Sequence, residues 1–255
     1  TCVGQLDSRR EVCIVKEEDS SFVVLLTATI QPKTTYLLQR VDPIERLRDY
    51  EEALRLWLKY DFPIVFCENS NYDLSSLRAI VPEGKDVEFI QFEGTNYSPE
   101  LGKGIGEWEV IVHALTHTKH ENPYFIKVSG RYFVKNIKKI IKRVKEESLI
   151  NSSLSKNLSF SDSRCFVCKK EFFYDYFNEN QKKYINDSEG VFFEHVLAKS
   201  ILKAQSKHRG SWSHLAIAPN IIGISGTDGA RYSNNFIFKI LKNLVYFFRK
   251  RVIEF

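Results

Sequence analysis

At 255 residues, 43% apolar and 27% charged, the chain reads as globular and is long enough to bury one large α/β core or a core with an appendage. No apolar run approaches the roughly 20 residues of a membrane-spanning helix, and residues 1–10 lack the basic-then-apolar layout of a secretory signal, so a cytoplasmic protein is expected. The net charge of +5 is unevenly spread: positions 135–145 hold Lys135, Lys138, Lys139, Lys142, Arg143 and Lys145 with no acid, and positions 236–255 hold five cations against Glu254.

In chain order, residues 21–30 form a β-branched apolar run ending at Gln31-Pro32, the pattern of a buried strand opening into a loop. Asp42-Pro43-Ile44-Glu45 supplies an N-cap, a proline at the first helical position and a Glu three residues after the cap. With Leu47, Tyr50, Leu54, Trp57 and Leu58 at helical spacing, it predicts a helix over 43–59. Residues 63–67 and 87–92 read as further strands, 102–106 as a glycine-containing loop, 108–115 as a helix and 124–128 as another strand. Strands alternating with helices predict a Rossmann-like, mostly parallel sheet flanked by helices, in which ligands bind beyond the carboxyl ends of the strands. The Ser/Asn-rich stretch 146–164 reads as a connector, 192–203 as a helix, 223–232 as a loop, and 236–255 as a basic, aromatic C-terminal helix. This divides the chain into residues 1–150, residues 151–235 and a helical appendage at 236–255.

Two candidate metal motifs carry little. Cys165-Phe-Val-Cys168 is a single C-x-x-C with no second pair, and Cys2, Cys13, Cys67, Cys165 and Cys168 form an odd, scattered set better read as reduced thiols. His113, His117 and His120 lack the intervening glutamate of an H-E-x-x-H site.

The order of the remaining signals resembles that of bacterial capsule and O-antigen glycosyltransferases of the GT-A type. The resemblance rests on a first strand ending in Thr27-Ala28-Thr29 and a second ending in Glu68-Asn69-Ser70. It continues through Gly102-Lys103-Gly104-Ile105-Gly106 before a helix, then Lys127-Val128-Ser129-Gly130-Arg131. It implies a GT-A-like fold whose residues 1–150 bind a nucleotide-sugar donor, a UDP-sugar favoured, and whose residues 151–235 face an acceptor. Thr27, Thr29, Glu68 and Asn69 would border the nucleotide; Lys103, Gly104, Lys127, Ser129, Gly130 and Arg131 would meet the phosphates and sugar. The resembled family normally carries an Asp-x-Asp metal motif where this chain reads Ser129-Gly130-Arg131. Mn or Mg is therefore a possible cofactor with no visible ligand set, and fixed cations such as Arg131 are expected to neutralise the leaving diphosphate instead. The family's base, a carboxylate at a helix start, falls at Glu194, with His195 as the competing base. Arg231, in the glycine-containing stretch 223–232, would reach toward the diphosphate.

The function implied is hexose transfer to a lipid-linked or oligosaccharide acceptor in bacterial surface-polysaccharide synthesis. The protein would sit peripherally at the inner face of the cell membrane, docked through 236–255. The rival is a non-catalytic peripheral protein that binds anionic lipid or nucleic acid through its basic blocks. No recognition-helix or aromatic ribonucleoprotein pattern accompanies those blocks, so a nucleic-acid partner is not expected.

Overall fold

The structure, a computed structural model, describes residues 21–33, 38–94, 98, 101–232 and 245–246. The strands are β1 (Phe22–Ala28), β2 (Ile64–Glu68), β3 (Val87–Gln91), β4 (Tyr124–Ser129), β5 (Tyr132–Val134), β6 (Ile150–Ser152), β7 (Cys165–Cys168), β8 (Trp212–His214), β9 (Ile221–Ile224) and β10 (Arg231–Tyr232). The α-helices are α1 (Pro43–Trp57), α2 (Ser75–Ala79), α3 (Lys103–His117), α4 (Ile137–Ile141), α5 (Glu179–Lys182) and α6 (Phe193–Lys207).

A seven-stranded sheet runs in the order β3-β2-β1-β4-β7-β6-β8. Strands β1 to β4 are parallel to one another, β7 is antiparallel to both β4 and β6, and β6 is parallel to β8. The expected class, a mostly parallel sheet flanked by helices, is what the chain forms. Every residue of β1 is buried, as a central strand covered on both faces requires. Successive side chains alternate: Phe22, Val24, Leu26 and Ala28 join the core under α1, and Val23 and Leu25 join the core under α3 and α6.

Local sequence accounts for the two helices that flank β1. Asp42 caps α1 by accepting the Glu45 amide at 2.9 Å, Pro43 opens the helix, and Tyr50, Ala53, Leu54 and Trp57 face the sheet. Helix α3 begins at Lys103, so the predicted 102–106 loop is in fact a helix start. Gly102 lies at φ +80° as its N-cap, a left-handed conformation that a side chain resists.

Three further sequence expectations change. Residues 146–164 are no free connector, because β6 takes its place in the main sheet and Leu154 bridges Ser161. Residues 223–232 form a β9–β10 hairpin that joins β5 in a second, three-stranded sheet. Cys165 and Cys168 lie on one strand, three residues apart, so they face opposite sides: Cys165 joins the α1-side core and Cys168 the α3-side core. That geometry prevents them from gripping one metal ion. Cys67, Cys165 and Cys168 are buried free thiols, and burial pushes Cys165 up to about 12. The predicted helix 236–255 lies outside the described residues except for Val245 and Tyr246; Tyr246 is buried with its ring edge-on to His214.

Candidate active site

The chain passes from β1 to β2 on one side, yet β4 pairs with β1 on the other. Loops leaving the carboxyl ends of β1 and β4 therefore diverge and open a crevice, the usual ligand position in such sheets. A cavity of about 580 Å³ lies there, lined by Thr27 and Thr29 at the end of β1, Ser129 and Arg131 at the end of β4, and Lys103 and Gly104 at the start of α3. It is lined as well by Phe160, Asp162, Arg164, Asp187, Phe192 and Glu194, and by residues 225–228 of the hairpin turn.

The close approach of the two strand ends has a specific cause. The Gly130 amide donates to the Thr27 carbonyl at 2.7 Å, and a Cβ on Gly130 would stand 2.8 Å from that oxygen and 3.1 Å from the Tyr50 ring. Glycine is required for this approach, a structural role distinct from donor contact. Arg46 then fixes the Thr29 carbonyl through Nε at 2.8 Å, and the Tyr50 hydroxyl accepts the Thr29 amide at 3.0 Å.

Several residues expected to touch the donor act behind the wall. Glu68 is fully buried and accepts the amides of Ile30 at 3.0 Å, Ser70 at 2.9 Å and Tyr72 at 3.2 Å, pinning the loops after β1 and β2. Asn69, also buried, takes the Thr29 hydroxyl at 2.6 Å and donates to the Gly106 carbonyl at 3.2 Å. Lys127 is fully buried too: it pairs with Leu25 of β1 in register and so points toward α3, where it bonds Glu107 and the Ser163 carbonyl. Its ammonium does not reach the cavity; Glu107, which also accepts from the Thr27 hydroxyl at 3.2 Å, does. Arg231 is exposed on β10 and does not line the cavity. His195 is turned away as well, its Nδ1 accepting the Phe192 amide at 3.1 Å.

The electrostatics of the crevice centre on Arg131. Its Nη1 is buried without a hydrogen-bond partner, and a Cβ on Gly226 would stand 2.5 Å from the guanidinium, so the bare glycine makes room for it. Lys103 donates to the Thr227 hydroxyl at 2.6 Å; burial pushes its ammonium down from the usual range, Arg131 adds to that, and Glu194 and Asp187 oppose it. Arg46 is likewise pushed down, by burial first and then by Arg131. Two cations thus feel Arg131 as a repulsive neighbour, with Glu194 and Asp187 the stronger influence at Lys103, and the buried Arg131 Nη1 is left as an open donor at the cavity. The β4 end supplies no carboxylate, and among the described residues no three His, Cys, Asp or Glu side chains come together as a metal site.

Glu194 sits in the first turn of α6 and accepts the Ser163 hydroxyl at 2.5 Å. Asp187 is 2% exposed, and burial raises its carboxyl above the usual range. It accepts the Gly104 amide at 3.3 Å, while its Oδ1 has no hydrogen-bond partner. Asp162 and Arg164 form a paired unit at 2.8 Å, with the guanidinium over the Tyr232 ring.

Fold and crevice together define an α/β protein with a cavity at the sheet's switch point. No family model matches the sequence, and no curated protein matches it either. Solved structures of similar chain path include the glycosyltransferase GlyE of Streptococcus pneumoniae TIGR4 (8% identity, TM-score 0.47), with 76% of this chain covered. This chain spans only 44% of GlyE. Mouse xyloside xylosyltransferase 1 matches at 9% identity and TM-score 0.46 over 76% of this chain and 84% of its own. Core-mannan synthase A of Aspergillus fumigatus, in an Mn/GDP form, matches at 8% and 0.46 over 97% and 87%. Values this low describe a likeness of chain path alone, so the chemistry has to be argued from the cavity.

Proposed function

We propose that the protein is a glycosyltransferase that moves a hexose from a nucleotide sugar, a UDP-sugar by preference, to a saccharide acceptor. The observation that carries this reading is the unpartnered Arg131 Nη1 at the switch-point crevice. A guanidinium matches diphosphate oxygens in bidentate geometry, and a donor already desolvated loses little on binding them. Thr27 and Thr29 border the nucleotide in this reading, and Lys103 joins Arg131 at the phosphates. Glu68, Asn69, Gly130 and Lys127 hold those groups in place. His195, turned from the cavity, leaves Glu194 as the base.

In an inverting reaction Glu194 takes the proton of the acceptor hydroxyl, the oxygen attacks the anomeric carbon, and the bond to the diphosphate breaks with its electron pair. The departing nucleoside diphosphate then carries the negative charge that Arg131 and Lys103 face. A retaining reaction dispenses with the base, and the anomeric configuration of the product decides between the two. No step is routed through a metal ion.

A lipid-linked acceptor at a membrane surface, as in bacterial surface-polysaccharide synthesis, is the biological setting we propose. The exposed cations Lys138, Lys139, Lys142 and Arg143 on and beside α4 support it. No helix among the described residues is long and apolar enough to cross a membrane. The test is release of nucleoside diphosphate from a panel of UDP-, GDP- and CMP-sugars, read with and without EDTA. Turnover of one donor that survives EDTA is expected. Turnover abolished by EDTA and restored by manganese would contradict the metal-free arrangement, and binding to anionic vesicles with no turnover of any donor would favour the non-catalytic rival.

A further inference from the structure

The wall around Glu194 carries more apolar surface than nucleotide or diphosphate binding requires. Phe160 is 38% exposed although it lines the cavity, and Phe192, half-buried, lines it as well. Large apolar side chains left open in a polar cleft mark a surface with an absent partner.

The two rings are held as a unit. His195 packs against both, its ring 5.5 Å from Phe192 at an interplanar angle of 22° and 5.5 Å edge-on to Phe160 at 82°. Its Nδ1 takes the Phe192 amide, which fixes the ring's orientation at the start of α6. Phe160 is set by its own loop: its amide donates to the Ser155 hydroxyl at 3.0 Å, and its carbonyl accepts the Ser155 amide at 2.7 Å. Glu194, next to His195 in sequence and fixed by Ser163, lies in the same wall with Asp162.

We propose that Phe160 forms the platform on which one pyranose ring of the acceptor stacks, with the Phe192 ring set at a steep angle beside it, and that the stacked sugar presents its reacting hydroxyl to Glu194. This rests on the glycosyltransferase reading and adds to it the position and chemical class of the acceptor site. A hexose ring has an apolar C–H face and a hydroxyl edge. The C–H face is drawn to the negative face of an aromatic ring, and the edge meets the carboxylates beside it. A nucleic-acid base would also stack on such rings, but the Glu194 carboxylate beside them repels a phosphate backbone. The donor phosphates belong with Arg131 and Lys103.

The experiment is saturation-transfer difference NMR on the full chain with a panel of methyl hexosides, with UDP and with GDP, for the native protein, Phe160→Ala and Phe160→Trp. The native protein is expected to transfer saturation to the ring protons of at least one hexoside. Phe160→Ala should weaken that binding about tenfold, Phe160→Trp should restore it, and nucleotide signals should be the same in all three. Because Phe160 is substantially exposed, the alanine variant is expected to keep the native melting temperature, measured alongside. Absence of any hexoside signal in the native protein, or equal signals in Phe160→Ala, overturns the platform. Absence of nucleotide signals alone overturns the donor assignment and leaves the platform standing as a saccharide site.

Discussion

Glu194→Gln should leave the fold and nucleotide binding intact while lowering the rate of sugar transfer by about 10²- to 10⁴-fold, the usual contribution of a positioned general base. Glutamine preserves the volume and the acceptor oxygen that the Ser163 hydroxyl reaches at 2.5 Å, so the wall of the cavity should not rearrange. What is lost is the site that receives the acceptor proton. Transfer rate and nucleotide affinity, measured on the same preparation, separate the two effects. Unchanged transfer would remove Glu194 from the chemistry and favour a retaining route, whereas loss of nucleotide binding would show that Glu194 supports the donor site.

The second large effect concerns stability and comes from the pair behind the wall. Lys127 is fully buried, whereas the Glu107 side chain retains 28% exposure at the cavity. Removing either partner is therefore unequal. Glu107→Met strands an ammonium in the core, leaving it the Ser163 carbonyl and the Phe166 ring but no counter-charge, and is expected to cost about 3–5 kcal/mol. Lys127→Met leaves a carboxylate that cavity water can still solvate and should cost less. The double variant replaces both by apolar groups of similar length and should recover much of the loss, as buried pairs exchanged together often do. Urea unfolding of the four proteins checks this, and a double variant no more stable than Glu107→Met would show that the ion pair is not the source of the cost.

The architecture was legible where local signals agreed. Buried apolar runs marked β1, β2 and β4, and the Asp42-Pro43 cap marked α1, because a strand covered on both faces leaves a continuous apolar run and a capped amphipathic helix leaves a helical period. Strand β6 was hidden: three residues in a Ser/Asn-rich stretch carry no period, and only pairing with β7 and β8 makes them a strand. The 102–106 glycines read as a loop because glycine weakens a helix, yet here they allow close packing: a Cβ on Gly104 would stand 2.7 Å from the Ile185 side chain. That contact joins segments some 80 residues apart and has no local signature.

The cavity was legible at Thr27, Thr29, Lys103, Gly104, Ser129, Arg131 and Glu194, all of which line it, because strand ends and helix starts fall at predictable points in an alternating α/β chain. Lys127 misled because strand alternation turns it to the α3 side, away from the neighbouring positions that open on the crevice. Glu68 and Asn69 misled because polar residues at a strand end look like ligand contacts until their backbone partners are known. Arg46 had a usable signal, since it falls four residues before Tyr50 on the apolar face of α1, where a charge needs a reason. Arg164 and Phe160 had none, lying in the stretch that sequence alone marked as a connector.

The most direct test of the account is titration calorimetry of UDP, GDP and CDP into the native protein and into Arg131→Met, at fixed salt and in the presence of EDTA. One nucleoside diphosphate is expected to bind the native protein without metal, and Arg131→Met should weaken it by about 10- to 100-fold, the range for a lost charge-assisted hydrogen bond. Equal affinity in the two proteins, or no binding of any nucleoside diphosphate to the native one, would contradict the assignment of the switch-point crevice to a diphosphate.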